Sequence, residues 1–199
     1  MPVLGVVAFL IAAAAPACDQ GTTLEMRTCW DQQSEAATAE LKQAYAKVAA
    51  RMRGWGLSSD PLATVQATWS TAREKTCAFE YDLYLPGTIA PQLGVECSVR
   101  MMRARTKRLE QMLSVLQTRE RRPSPLPAAP SAVGELNKLY HLYLSRLTTG
   151  QRASLVTAQN AWLAYRDKAC ALEGGSCLTE LDDERTAELQ ASWVGERFW

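Results

Sequence analysis

"QATWSTAREKTC" (residues 66–77) and "QNAWLAYRDKAC" (159–170) are written in one frame, Q-x2-W-x3-R-x3-C. At 100° per residue, the four fixed positions fall within an arc of roughly 80° on a helix. Gln66, Trp69, Arg73 and Cys77 therefore share one helix face, as do Gln159, Trp162, Arg166 and Cys170. A Trp on such a face supplies core: truncating a buried Trp to Ala typically costs about 3–5 kcal/mol. The Arg one turn further on is placed to lie against the indole and to pair with a carboxylate. Glu40 and Glu135, expected on an antiparallel neighbouring helix, are the candidate partners. An anion pocket lined by Gln and Arg is the competing reading. Recurrence among core positions favours a structural clamp.

The echo extends on both sides. "ELKQAY" (40–45) is answered by "ELNKLY" (135–140), and Arg51-Met52 by Arg146-Leu147. Cys97, Arg105-Thr106 and Leu109 recur at the same spacing as Cys177, Arg185-Thr186 and Leu189. Three blocks in one order indicate a tandem duplication. Between the copies, "RRPSPLPAAPSAV" (121–133) carries prolines that no helix interior accepts, so it reads as a semi-rigid linker. The expected layout is a leader (1–17), a first module (18–120), the linker (121–133) and a second, shorter module (134–199).

Each copy reads as three helices. Leu41, Tyr45, Val48 and Met52 form one apolar stripe, and Leu136, Tyr140, Tyr143 and Leu147 another. "GWG" (54–56) stops the first helix, and "SSDP" (58–61) starts the second, which runs to about Tyr84. A loop over 85–96 follows, and the third helix is expected from near Cys97, with Met102, Leu109 and Leu116 facing the core. In the second copy "TTG" (148–150) turns into its second helix and "EGGS" (173–176) ends it. Alternating strand patterns are absent, so the class is all-α: two tandem antiparallel three-helix modules stapled by disulfides.

"MPVLGVVAFLIAAAAPAC" (1–18) has the apolar run and the A-x-A ending (Ala15-Pro16-Ala17) of a secretory signal peptide, although it lacks a basic start. The run is too short for a stable membrane span. The expected location is periplasmic or secreted; lipoprotein anchoring through Cys18 is the less favoured alternative. Export makes six cysteines intelligible as bridges. The second copy keeps only the counterparts of Cys77 and Cys97, so loss of a whole bridge gives Cys18–Cys29, Cys77–Cys97 and Cys170–Cys177. Crossed pairing, Cys29–Cys77 with Cys18–Cys97, stays open.

No C-x2-C pair, Walker loop, H-E-x-x-H or G-x-S-x-G occurs, and the one His, His141, sits in a helix far from every Cys in sequence. No metal, cofactor or catalytic residue is expected. A net charge of +1 argues against a general nucleic-acid binder. Charge is nonetheless uneven: Arg100, Arg103, Arg105, Lys107 and Arg108 crowd the third helix of the first copy, while the second copy is acidic. These read as solvated faces. A basic patch for anionic envelope components and attraction between the copies are the alternatives.

A Cys followed by T-x2-E-M-x2-C ("TTLEMRTC", 22–29) leads into E-L-x3-Y, Q-x2-W-x3-R-D/E-x2-C and a last Cys with R-T-x2-L. This set resembles the LprI-type lysozyme inhibitor family, in particular its N-terminal domain. The first copy carries the pattern from Cys18 to Leu116. The second carries it from Glu135 to Leu189, with "AWLAYRDKAC" (161–170) and Gly174-Gly175, but without counterparts of the first two cysteines. The resemblance implies an exported, non-enzymatic bacterial envelope protein with a protein partner, lysozyme or another muralytic enzyme. A structural or assembly protein of the envelope is the alternative. Near-neutral charge gives no general attraction to a basic lysozyme, so inhibition would rest on a loop that occludes the cleft of two catalytic carboxylates. The 84–96 loop is the candidate, with Tyr84, Leu85, Pro86, Ile89, Arg100, Arg103 and Lys107 as the expected partner surface.

Overall fold

The computed structural model describes residues 18–118 and 133–192. The leader (1–17) and, but for Val133, the Pro-rich linker lie outside the described residues. Within them the only regular structure is helical: α1 Thr23–Gly54, α2 Asp60–Leu83, α3 Ala90–Gln117, α4 Val133–Arg146, α5 Thr149–Glu173 and α6 Cys177–Ser192.

Local chemistry explains the boundaries. Thr22 opens α1 with a capping box: its side chain accepts from the Glu25 N–H, and Glu25 accepts from the Thr22 N–H. Thr148 and Gln151 repeat the device at α5. After α1, the Leu57 N–H returns to the Met52 carbonyl at 3.0 Å. Gly56 allows this by taking φ +70°. α2 opens after Ser59 with Pro61 in its first turn.

The third helix of the first copy begins earlier than the sequence suggests. α3 starts at Ala90 and not near Cys97, because Pro91 fits a first turn and Gly94 is absorbed within the helix. The expected loop of 85–96 thus shrinks to a tight corner, 84–89. There the Gly87 N–H meets the Tyr84 carbonyl at 2.7 Å. A Cβ on Gly87 would lie 2.7 Å from that same oxygen, so the corner needs glycine.

Packing also corrects the expected neighbours. α1 lies chiefly on α3 rather than on α2, and α4 lies more on α6 than on α5. In each copy the third helix sits between the first and the second, and α2 packs on α5 to join the copies. Gln151 Nε2, at the start of α5, donates to the Asp82 carbonyl at the end of α2 (3.3 Å), so α2 and α5 run antiparallel. One apolar core runs through both copies, from Leu41, Val48 and Met102 to Trp69, Trp162, Leu155 and Leu189. Phe79 of α2 meets Tyr143 of α4 edge-on at 6.3 Å.

Three disulfides close the corners: Cys18–Cys29, Cys77–Cys97 and Cys170–Cys177, with Cα separations of 5.5, 5.5 and 5.3 Å. The second joins α2 to α3 and the third joins α5 to α6.

Candidate functional site

The repeated face lies at the join. Trp69 and Trp162 are buried where α2 crosses α5. Arg73 covers Trp69 and Arg166 covers Trp162, each with its guanidinium carbon 5.3 Å from the ring centroid. The carboxylates are not those expected. Arg166 pairs with Asp182 of α6 at 3.1 Å and with its neighbour Asp167 at 3.0 Å. Glu40 instead lines a surface groove with Lys47, Arg103 and Lys107, and Glu135 pairs with Lys138 at 2.7 Å. The cause is the helix order: α3 and α6, not α1 and α4, flank the second helices.

Gln66 and Gln159 serve arginines that the motif does not contain. Arg105 Nε donates to Gln66 Oε1 and Arg185 Nε to Gln159 Oε1, both at 3.2 Å. Each arginine then crosses to the other copy. Arg105 Nη1 donates to the Tyr165 hydroxyl of α5 at 3.3 Å, and Arg185 Nη1 to Thr76 Oγ1 of α2 at 3.1 Å. Both arginines are 2% exposed or less. Burial is the main force pushing the Tyr165 phenol up, which keeps it a neutral partner. With the two Trp residues these arginines line a cleft of about 340 Å³ between the copies.

An ion-pair cluster flanks the cleft. Arg108 of α3 reaches Glu173 at the end of α5 (2.7 Å) and Glu184 of α6 (3.3 Å), with Glu180 at 3.7 Å. Arg105 and Arg108 are therefore not part of a solvated basic face: the second copy covers them. On the opposite side Glu80, the counterpart of Glu173, binds Arg100 and accepts from Ser192 Oγ of α6 at 2.7 Å. Burial raises the Glu80 carboxyl above its ordinary value, against the pull of Arg100. Counted from the second cysteine of each bridge, Arg100 and Arg108 correspond to Glu180 and Glu188. Sign is exchanged between the copies at both positions.

The expected partner surface divides. Leu85 (50% exposed), Ile89 (40% exposed) and Pro86 project at the α2–α3 corner, above a half-buried Tyr84. Arg100 belongs to the central cleft. Arg103, which donates to Gln33 of α1, and Lys107 line the α1–α3 groove. His141 is exposed and rests edge-on against Tyr140. Among the described residues no cluster of His, Cys, Asp and Glu could hold a metal, and no helix is long and apolar enough to cross a membrane.

Of the site residues Arg105, Arg108, Arg185 and Tyr165, sequence reasoning passes over Arg185 and Tyr165 and reads Arg105 and Arg108 chiefly as a solvated face, with attraction between the copies, which their bonds to α5 match, as an alternative. A signal for two of them existed: an Arg recurring in register with apolar positions, as in C-x7-R-T-x2-L, marks a charge that the core holds. Arg108 and Tyr165 have no like counterpart in the other copy, so no repeat flags them.

A profile of the family described as "Lysozyme inhibitor LprI" matches residues 13–109 and 128–189. Among solved structures, the chain is similar to an uncharacterized protein from Burkholderia thailandensis, with a TM-score of 0.62 over 86% of this chain and 87% of that one. At 18% identity, that likeness speaks for the fold alone. No curated protein matches.

Proposed function

Because the chain belongs to the LprI lysozyme inhibitor family, we propose that it is an exported binding protein of the bacterial envelope that inhibits a lysozyme or a related wall-degrading enzyme by direct contact. The family is non-catalytic, so the activity sought is binding. Three disulfides suit a protein that works in an oxidising compartment after loss of residues 1–17.

The observation that carries the contact site is the α2–α3 corner. Leu85 and Ile89 stand out from a short turn between two helices that Cys77–Cys97 ties together further along. Apolar side chains on a rigid projection lose little entropy on binding and make good anchors for a cleft. The Leu85→Asp/Ile89→Asp variant should weaken inhibition of a susceptible lysozyme at least tenfold in a cell-wall lysis assay, with an unchanged circular dichroism spectrum. Full inhibition by that variant removes the corner from the reading. Absence of binding to every member of a lysozyme panel removes inhibition itself and leaves an envelope assembly role.

A further inference from the structure

We infer that the cleft between the copies binds a small, uncharged, apolar molecule against the facing walls of α3 and α6. The inference does not depend on lysozyme inhibition and concerns a different part of the molecule from the α2–α3 corner.

The first ground is what holds the cleft open. α3 and α6 face each other across it without packing closely. At one end Arg108 of α3 reaches Glu184 of α6 at 3.3 Å. At the other end Glu80 of α2 binds Arg100 of α3 and accepts from Ser192 Oγ of α6 at 2.7 Å. Arg105 and Arg185 each tie their own helix to the opposite copy as well. The spacing is thus fixed by bonds that a ligand neither makes nor breaks, and a preformed space costs little to enter. At about 340 Å³ it falls within the range of small-molecule sites, about 300–1,000 Å³.

The second ground is what the walls offer. Ala104 of α3 and Ala187 and Ala191 of α6 line the cleft and are exposed, and Met101 is half-buried. Trp69 and Trp162, each nearly covered, complete the lining. The accessible wall is therefore chiefly methyl and thioether, and removing such surface from water drives the binding of an apolar body.

The third ground is charge. The ionic groups of the cleft are already spent on one another. Arg185 holds Glu188 at 2.6 Å, Arg108 holds Glu173 at 2.7 Å as well as Glu184, and Arg100 holds Glu80. The Arg105 and Arg185 side chains are 1% and 0% exposed, so a ligand does not reach them. An anion in the cleft would face Glu184 and Glu188, and a cation would face Arg100 and Arg108, with no free counter-charge for either. Each would lose hydration without gaining a partner, whereas an uncharged body loses nothing of the kind. A molecule seated against both walls also bridges α3 and α6, one from each copy, and stabilises their docking by mass action.

The probe for the full-length, oxidised protein is N-phenylnaphthylamine, which is uncharged and brightens in apolar surroundings. Anilinonaphthalene sulfonate, the same body with a negative charge, is its match at constant ionic strength. Fluorescence titration should give saturable binding of the uncharged probe at one site per chain, and a melting temperature that rises with its concentration. The sulfonate should bind at least tenfold more weakly. Ala104→Trp and Ala187→Trp fill the space from opposite walls without touching a charged group. Both positions are exposed, so both variants should melt like the parent protein in plain buffer while binding the probe at least tenfold more weakly. The Leu85→Asp/Ile89→Asp variant should bind it unchanged. No saturable binding of the uncharged probe, equal or tighter binding of the sulfonate, binding undiminished by either tryptophan, or binding lost with the corner variant each overturns the inference. None of these outcomes bears on lysozyme, which is assayed separately.

Discussion

Arginine keeps its charge at every accessible pH, so burying one costs several kcal/mol before its partners are counted. Among the described residues three are buried: Arg105, Arg108 and Arg185. Glu173 is the main carboxylate of Arg108, and Glu173→Ala leaves only the more exposed Glu180 and Glu184. The expected loss is about 3 kcal/mol, read from urea unfolding. Trp69→Ala and Trp162→Ala should each cost about 3–5 kcal/mol by the same measurement. Glu80 acts in the opposite sense. Its carboxyl is raised in the folded protein, chiefly by burial, so the fold holds its proton more tightly than the unfolded chain does. That contribution is fully present below the ordinary glutamate value and is lost as pH rises through the folded value. Glu80→Gln keeps an acceptor for Arg100 and Ser192 and removes the titration. Calorimetric melts should show the variant's melting temperature gaining on the parent's between pH 4 and pH 7. At this scale the sequence shows which residues recur and hides what they meet. Gln66 and Trp69 share a face in any helix, but Gln66 finds its arginine thirty-nine residues away on α3.

At the scale of the element, the helices were legible where apolar spacing and end signals agree. The stripes of Leu41, Val48 and Met52, and of Leu136, Tyr143 and Leu147, are buried. The α1 start at Thr23 was missed because its first turns carry few buried side chains, and a capping box rather than a stripe defines them. The α3 start was misjudged because Pro91 and Gly94 are breakers in mid-helix yet tolerable near an N-terminus. Thr148→Ala removes the α5 cap and should cost about 1 kcal/mol, again by urea unfolding. The Cys77→Ala/Cys97→Ala variant should lose about 2–4 kcal/mol, mainly through a freer unfolded chain.

At the scale of the whole molecule, periodicity announced an all-helical duplication, and the single core across both copies confirms contact between two helix clusters. The order of the helices was not legible, because an apolar stripe says that a face is covered without saying by what. Arg105 and Arg185 each require the opposite copy, and Arg108 requires Glu173. The two halves should therefore unfold together: tryptophan fluorescence and circular dichroism are expected to report one coincident urea transition. Two resolved transitions would mean that the halves are stable apart.

The exchange of sign between α3 and α6 bears on what the chain does beside its own copies. In a two-fold contact between identical halves, where residue i meets residue j, residue j of the one half also meets residue i of the other. Two first halves joined that way would set Arg108 against Glu80, Arg100 and Ala104, in place of Glu173, Glu180 and Glu184. Two second halves would set Glu188 among Glu173, Glu180 and Glu184, four carboxylates together. The second half is thus repelled by its own kind, the first would leave Arg108 one carboxylate in place of three, and the two halves are matched to each other, a match that tethering keeps within one polypeptide. Through this surface, raising the concentration should therefore not drive like halves of neighbouring chains together.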